Sequence, residues 1–136
     1  MNRQTFINAL KGGAIGIAVA TGLLFAFNFI ALSTDDPDML LSVLAHAARF
    51  TGAAAAGFSA SRMNRENGLI NGALGGVVYS LPILLISAFS EGSFSFFFSI
   101  LLTLLSVAIS AVFGLLGLPG EKSGRARRKN MIKRFK

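Results

Sequence analysis

Residues 67–90 read NGLINGALGGVVYSLPILLISAFS and residues 92–120 read GSFSFFFSILLTLLSVAISAVFGLLGLPG, and neither stretch holds a charged residue. Residues 12–34, GGAIGIAVATGLLFAFNFIALST, are also free of charge. Residues 39–61, MLLSVLAHAARFTGAAAAGFSAS, carry a single charge, Arg49. A helix crosses a hydrocarbon core of ~30 Å with about 20 residues, so each of the four runs can span a bilayer. The expected fold is an all-α, integral membrane four-helix bundle covering residues 1–120, with spans near 13–32, 39–60, 68–89 and 94–118. Residues 121–136 form a basic tail.

The composition agrees. Of 136 residues, 53% are hydrophobic and 14% charged, too few charges for a soluble domain of this size. The spans take up nearly the whole chain, leaving no room for a separate soluble domain. The first apolar stretch, Ala14 to Leu32, follows Arg3 and Lys11 and ends in Ala31-Leu32-Ser33. It is longer than the apolar core of a signal peptide, and three more spans follow, so it reads as a span. Without cysteine the chain has no disulfide, thiolate metal site or cysteine nucleophile. One histidine makes no metal set. Ser42 and His46 on one helix, with no third group, make no hydrolase. No enzyme activity and no cofactor are expected.

Charge placement orients the bundle. Eight of the thirteen basic residues lie in the last fifteen positions, Lys122 to Lys136. With both termini cytoplasmic, Arg3, Lys11, Arg62, Arg65 and the tail all fall inside, while Asp35, Asp36, Asp38 and Glu91 fall outside. The net charge of +7 is therefore a topological signal, and no nucleic-acid partner is expected. The tail, with Met131, Ile132 and Phe135 among its basic residues, is expected on anionic lipids of the inner leaflet, at about 1 kcal/mol per basic residue at best. Asp38 is placed to cap the second span, Ser61–Asn67 reads as a polar loop, and Pro82 marks a kink site in the third span.

A two-hairpin internal repeat is suggested at an offset of 60: Gly12 and Gly16 align with Gly72 and Gly76, Leu24 with Leu84, Phe29 with Phe89, and Gly57 with Gly117. Chance alignment among fifteen glycines is the competing reading. Small residues also form helical stripes: Gly12, Gly16 and Ala20; Ala53, Gly57 and Ala60; Gly68, Gly72 and Gly76. Spacing by four puts them on one face and lets backbones approach closely, which favours packing over a gating hinge. On the fourth span Ser95, Ser99, Thr103, Ser106, Ser110, Gly114 and Gly117 share one face. Packing with hydroxyls bonded back to their own helix is favoured over the wall of a polar crevice.

From Ala56 to Tyr79 the chain runs through a small-residue span end and a basic loop into Gly-Leu-Ile-Asn-Gly. Gly57, Arg62, Arg65, Gly68, Leu69, Gly72, Gly76 and Tyr79, together with Gly114–Gly117, resemble a family of small uncharacterised four-span membrane proteins of Gram-positive bacteria. That resemblance implies a multi-pass protein of a bacterial cytoplasmic membrane and implies no activity. Gly12-Gly13-Ala14-Ile15-Gly16 echoes small dual-topology fluoride channels. Their early first-span arginine and their third-span Thr-Thr-Phe-Ser stretch have no counterpart here, and the strong charge bias argues against dual topology.

One polar constellation remains. Ser42, His46 and Arg49 share a face of the second span, with Arg49 near the bilayer centre. Tyr79 and Ser106 lie at matching depth; Asn28 and Ser99 or Thr103 lie level with His46. No span contains a carboxylate, so Arg49 has no counter-ion and must find protein, water or an anion. A structural arginine is favoured over an anion site, and a neutral, hydrogen-bonded His46 over a proton relay. The leading functional expectation is a non-enzymatic structural or accessory membrane protein. It would associate with itself or with a larger complex through Gly12, Gly16, Gly57, Gly72, Gly76 and Gly117. The alternatives are a small-anion channel or carrier built on Arg49, His46, Asn28 and the span-four hydroxyls, and a holin-like pore former.

Overall fold

The computed structural model describes residues 3–34, 36–64, 67–90 and 93–118. The tail at 121–136 and its expected lipid contacts, Asp35, Arg65, Glu66, Glu91 and the side chain of Ser95 lie outside the described residues. Four helices follow one another: α1 (Arg3–Ala31), α2 (Pro37–Asn64), α3 (Gly68–Ser90) and α4 (Ser93–Leu116). All four are long and apolar enough to cross a membrane, which makes this a multi-pass membrane protein.

The charge-free runs lie inside the helices, but the helices are longer. α1 begins at Arg3, not near residue 13, and at 1.5 Å per residue it is about 43 Å long, more than a hydrocarbon core needs. Its first turns therefore extend past the apolar slab. α2 likewise continues through Ser61–Asn64, which the sequence suggested as loop. Polar residues end a span without ending a helix, because backbone bonding continues once side chains reach the interface. Pro37 is the first residue of α2, where its missing N–H is of no consequence, so Asp38 lies in the first turn and is not the cap. Asn67 turns α2 into α3 with φ 46°, a left-handed conformation that asparagine tolerates. Its carbonyl accepts from the N–H of Asn71 (3.0 Å) and so opens α3. Pro82 sits inside α3 without ending it. The Ser33 and Thr34 hydroxyls donate to the carbonyls of Phe29 and Ile30 at the end of α1.

Among the described residues α2 and α3 each touch all three other helices, whereas α1 and α4 do not touch. The cross-section is a rhombus, with α2 and α3 on its short diagonal. Its interior is made of small residues. Ala48, Ala53, Ala56, Ala60, Ser61, Ser106 and Ser110 are essentially inaccessible, and Tyr79 is the largest fully buried side chain. Large apolar residues such as Phe25, Phe29, Phe89, Leu104 and Leu116 point outward. Water would not tolerate that surface; lipid does.

Glycine sets the helix spacing. A Cβ at Gly12 would lie 2.6 Å from the Ala60 Cβ, and one at Gly16 the same distance from the Ala56 Cβ. One at Gly72 would lie 2.6 Å from the Ser110 carbonyl, and one at Gly76 2.6 Å from the Ser110 Cβ. Gly57 abuts the Ser110 carbonyl, and Gly117 the Phe58 carbonyl. All six glycines thus face another helix of the same chain. The contacts described do not follow one register: Gly12 meets Ala56 and Ala60, whereas Gly72 meets Ser110 and Gly114, and not Leu116, 60 residues beyond Ala56, among its nearest neighbours.

These contacts cluster at the end bearing Arg3, Lys11 and Arg62, where Asn8, Asn64 and Asn71 also join α1, α2 and α3 through their amides. Towards the other end glycine stops, at Gly22 in α1 and Gly76 in α3. Leu81, Leu85 and Ile86 are exposed there. The bundle is closed at one end and loosens towards the other.

Candidate functional site

Arg49 lies about 18 Å along α2 from Pro37 and about 22 Å from Asn64. Its Nη2 donates to the Thr103 Oγ1 of α4 at 2.9 Å. Thr103 in turn donates to the Ser99 carbonyl (2.8 Å), and that back-bond leaves its oxygen free to accept from the guanidinium. The Nε of Arg49 is buried with no hydrogen-bond partner. The carboxylates among the described residues, Asp36 and Asp38, stand at the start of α2; Asp38 is about 16 Å along the helix from Arg49.

Tyr79 engages Arg49 by another route. Its hydroxyl donates to the Arg49 backbone carbonyl at 2.9 Å, not to the charged group. The ring lies in a seat that two glycines provide. A Cβ at Gly52 would lie 2.7 Å from the Tyr79 hydroxyl, and one at Gly16 3.1 Å from its Cδ2. Gly52 was not among the candidate residues. It lies immediately before Ala53 of the second stripe, and nothing in the sequence pairs it with Tyr79 in α3.

The other expected residues divide. Ser106, placed by depth beside Arg49, is buried and donates to the Leu102 carbonyl of its own helix (2.8 Å). Ser99 donates to the Ser87 hydroxyl of α3 (2.7 Å). The His46 Nδ1–H donates to the Ser42 carbonyl one turn back (2.7 Å), since a carbonyl can only accept. Asn28 does not join the site; it is exposed on α1 and lines a separate shallow groove with Phe25, Phe29 and Leu32. Matching depth puts residues on one level but does not say which side of the bundle they occupy. Ser99, Ser106 and Ser110 of the α4 stripe are turned into the packed interior, where Ser110 donates to the Gly72 carbonyl of α3.

Arg49 and Tyr79 line a cavity of about 400 Å³ between α1, α2 and α3. Ile17, Thr21 and Leu24 form one wall, Pro82, Ile83 and Ile86 the other, and Ala45 continues the floor along α2. Its walls are apolar apart from the Thr21 hydroxyl. None of Ser99, Thr103 and Ser106 lines it. The cavity lies just beyond the last glycine contacts.

Magnitudes decide what Arg49 is worth to the fold. A guanidinium at the bilayer centre costs about 2.5–3.5 kcal/mol on insertion scales. An interhelical hydrogen bond in a membrane protein returns about 0.6 kcal/mol, at most about 1.7. The Thr103 bond does not offset the charge, and Nε adds an unmet donor. Among the described residues Arg49 is thus only partly satisfied.

No curated protein and no solved structure shows significant similarity to the chain. A protein-family comparison does identify it: the match runs over residues 5–117, from the first turn of α1 to the end of α4, and the chain belongs to the DUF3792 family, proteins of unknown function.

Proposed function

We propose that this is a non-enzymatic accessory protein of the bacterial cytoplasmic membrane, with both termini inside and the basic tail on anionic lipids of the inner leaflet. It acts by lateral association within the bilayer. The supporting observation is Arg49, a mid-span charge whose Nη2 has Thr103 as partner, whose buried Nε is unmet among the described residues, and which is one of the residues lining an open groove. The six glycines are engaged inside the chain, so association uses the groove and not the glycine faces. The basic residues Arg3, Lys11 and Arg62 at one end, and Asp36 and Asp38 at the other, support the orientation.

The anion carrier is the second reading, and the place of Arg49 among the residues lining the groove is what favours it. The apolar walls and the inward-turned hydroxyls of α4 weigh against it. The test is flux. The purified protein is reconstituted in vesicles holding an anion-sensitive dye, and chloride, nitrate, fluoride and phosphate are offered outside. No flux above protein-free vesicles is expected. Flux that disappears in Arg49→Met would replace the accessory reading with the carrier.

A further inference from the structure

Two buried side-chain polar atoms have no hydrogen-bond partner among the described residues: the Nε of Arg49 in α2 and the Oγ of Ser80 in α3. Ser80 is 1% exposed and does not line the groove between α1, α2 and α3. We infer that a water molecule is held inside the bundle between α2, α3 and α4, accepting a hydrogen bond from the Arg49 Nε–H and bonding to the Ser80 hydroxyl.

Register brings the two atoms to one level. Ser80 follows Gly76 by one turn, and Gly76 faces Ser110 and Val107 of α4. Two turns further along α3, Ser87 bonds to Ser99 of α4. Counting between these contacts along the antiparallel pair sets Ser80 level with Ser106, which is fully buried. Thr103, which holds the Arg49 Nη2, stands three residues away on α4, about 4.5 Å along its axis. One water, with a bond of about 2.8 Å on each side, spans an offset of that size. Tyr79, the residue before Ser80, bonds to the Arg49 carbonyl and ties α3 to α2 at the same level. Protons then select the ligand. The Nε–H can only donate, so it needs an acceptor. The Thr103 and Ser106 hydroxyls give their protons to the Ser99 and Leu102 carbonyls and are left with lone pairs, which repel a halide. A water accepts from Nε and turns its own protons to Ser80 and to one of these oxygens, reaching the about three partners that a buried water keeps. One more bond of this kind does not offset a mid-membrane guanidinium, so the accessory reading neither rests on this water nor falls with it.

Magnetic resonance of the full chain in detergent micelles, isotope-labelled at the arginine nitrogens, reads the site directly. The Nε–H signal lost in Arg49→Lys is that of Arg49. In the native chain it should show an Overhauser contact with a long-lived water, and Ser80→Ala should weaken that contact. Replacing chloride by sulfate or bromide in the buffer should leave the signal where it is. Stability supplies a second measurement. Arg49→Met and Ser80→Ala, made singly and together, should be non-additive, with the unfolding constant of the double variant about three- to tenfold away from the product of the single effects, whereas independent sites agree within about twofold. If Arg49→Met does not fold, the water contact of the native chain and its response to Ser80→Ala decide alone. An Arg49 Nε–H without a water contact, or a contact that Ser80→Ala leaves unchanged, would overturn the inference. A signal that moves with the halide would overturn it in favour of a bound anion.

Discussion

Arg49 and Tyr79 are one hydrogen bond apart but play opposite parts. Tyr79 is buried in a glycine-lined seat and bonds to the Arg49 carbonyl, so it belongs to the fold. Tyr79→Phe should cost about 1 kcal/mol, the worth of one buried hydrogen bond, while leaving the seat filled. Tyr79→Ala should cost about 3–5 kcal/mol through the cavity it leaves. Arg49→Met should act in the other direction. Removing a mid-membrane charge that only Thr103 partly satisfies should stabilise the isolated protein by about 1–2 kcal/mol, read as a higher melting temperature in detergent. A clear loss of stability would make Arg49 structural. The sequence made Arg49 legible as an unpaired charge at the right depth. It did not say that Thr103 would hold the guanidinium while Tyr79 took the backbone, because both choices depend on how α3 and α4 are rotated against α2.

At the scale of single helices, the described glycines separate into those that touch and one that does not. Gly12, Gly16, Gly57, Gly72, Gly76 and Gly117 have another helix where a Cβ would go, whereas Gly22 has nothing within 4 Å. Gly72→Leu should therefore destabilise the bundle more than Leu84→Ala, which removes a side chain that is only half-buried. Gly22→Leu should be tolerated. Thermal unfolding of the three variants in one detergent checks this, and equal losses at Gly72 and Gly22 would refute the close-contact face of α3. Spacing of four was enough to pick out the contact faces. It was not enough to say which helix each face meets: Gly57 opposes α4, while Ala56, one residue earlier, opposes α1 and α3. Helix ends were read short at Arg3 and at Ser61–Asn64, because charge marks where a span leaves lipid and not where hydrogen bonding stops.

At the scale of the whole molecule, orientation is the proposal most open to a direct check. A cysteine at Asp36 should react with a membrane-impermeant reagent from outside, and cysteines at Arg62 and Ser123 should not. Labelling of Ser123 from both sides would refute the proposed orientation and point to dual topology. Removing the residues after Gly124 should weaken binding to anionic vesicles and leave the orientation unchanged, since Arg3, Lys11 and Arg62 remain. Inversion of the truncated chain would make the tail the main topological signal.

Four spans, an all-helical fold and a lone mid-membrane cation follow from the sequence alone. Each depends on local quantities: run length, the absence of charge, and the cost of placing a guanidinium in hydrocarbon. Tertiary structure alone decided the rhombus with α2 and α3 at its centre, the register of each hairpin and the exclusion of Asn28 from the site. It also decided where the groove opens. These depend on pairs of helices: glycine lets backbones meet at one end, and large apolar side chains line an open groove at the other, whichever residue happens to lie at the same depth.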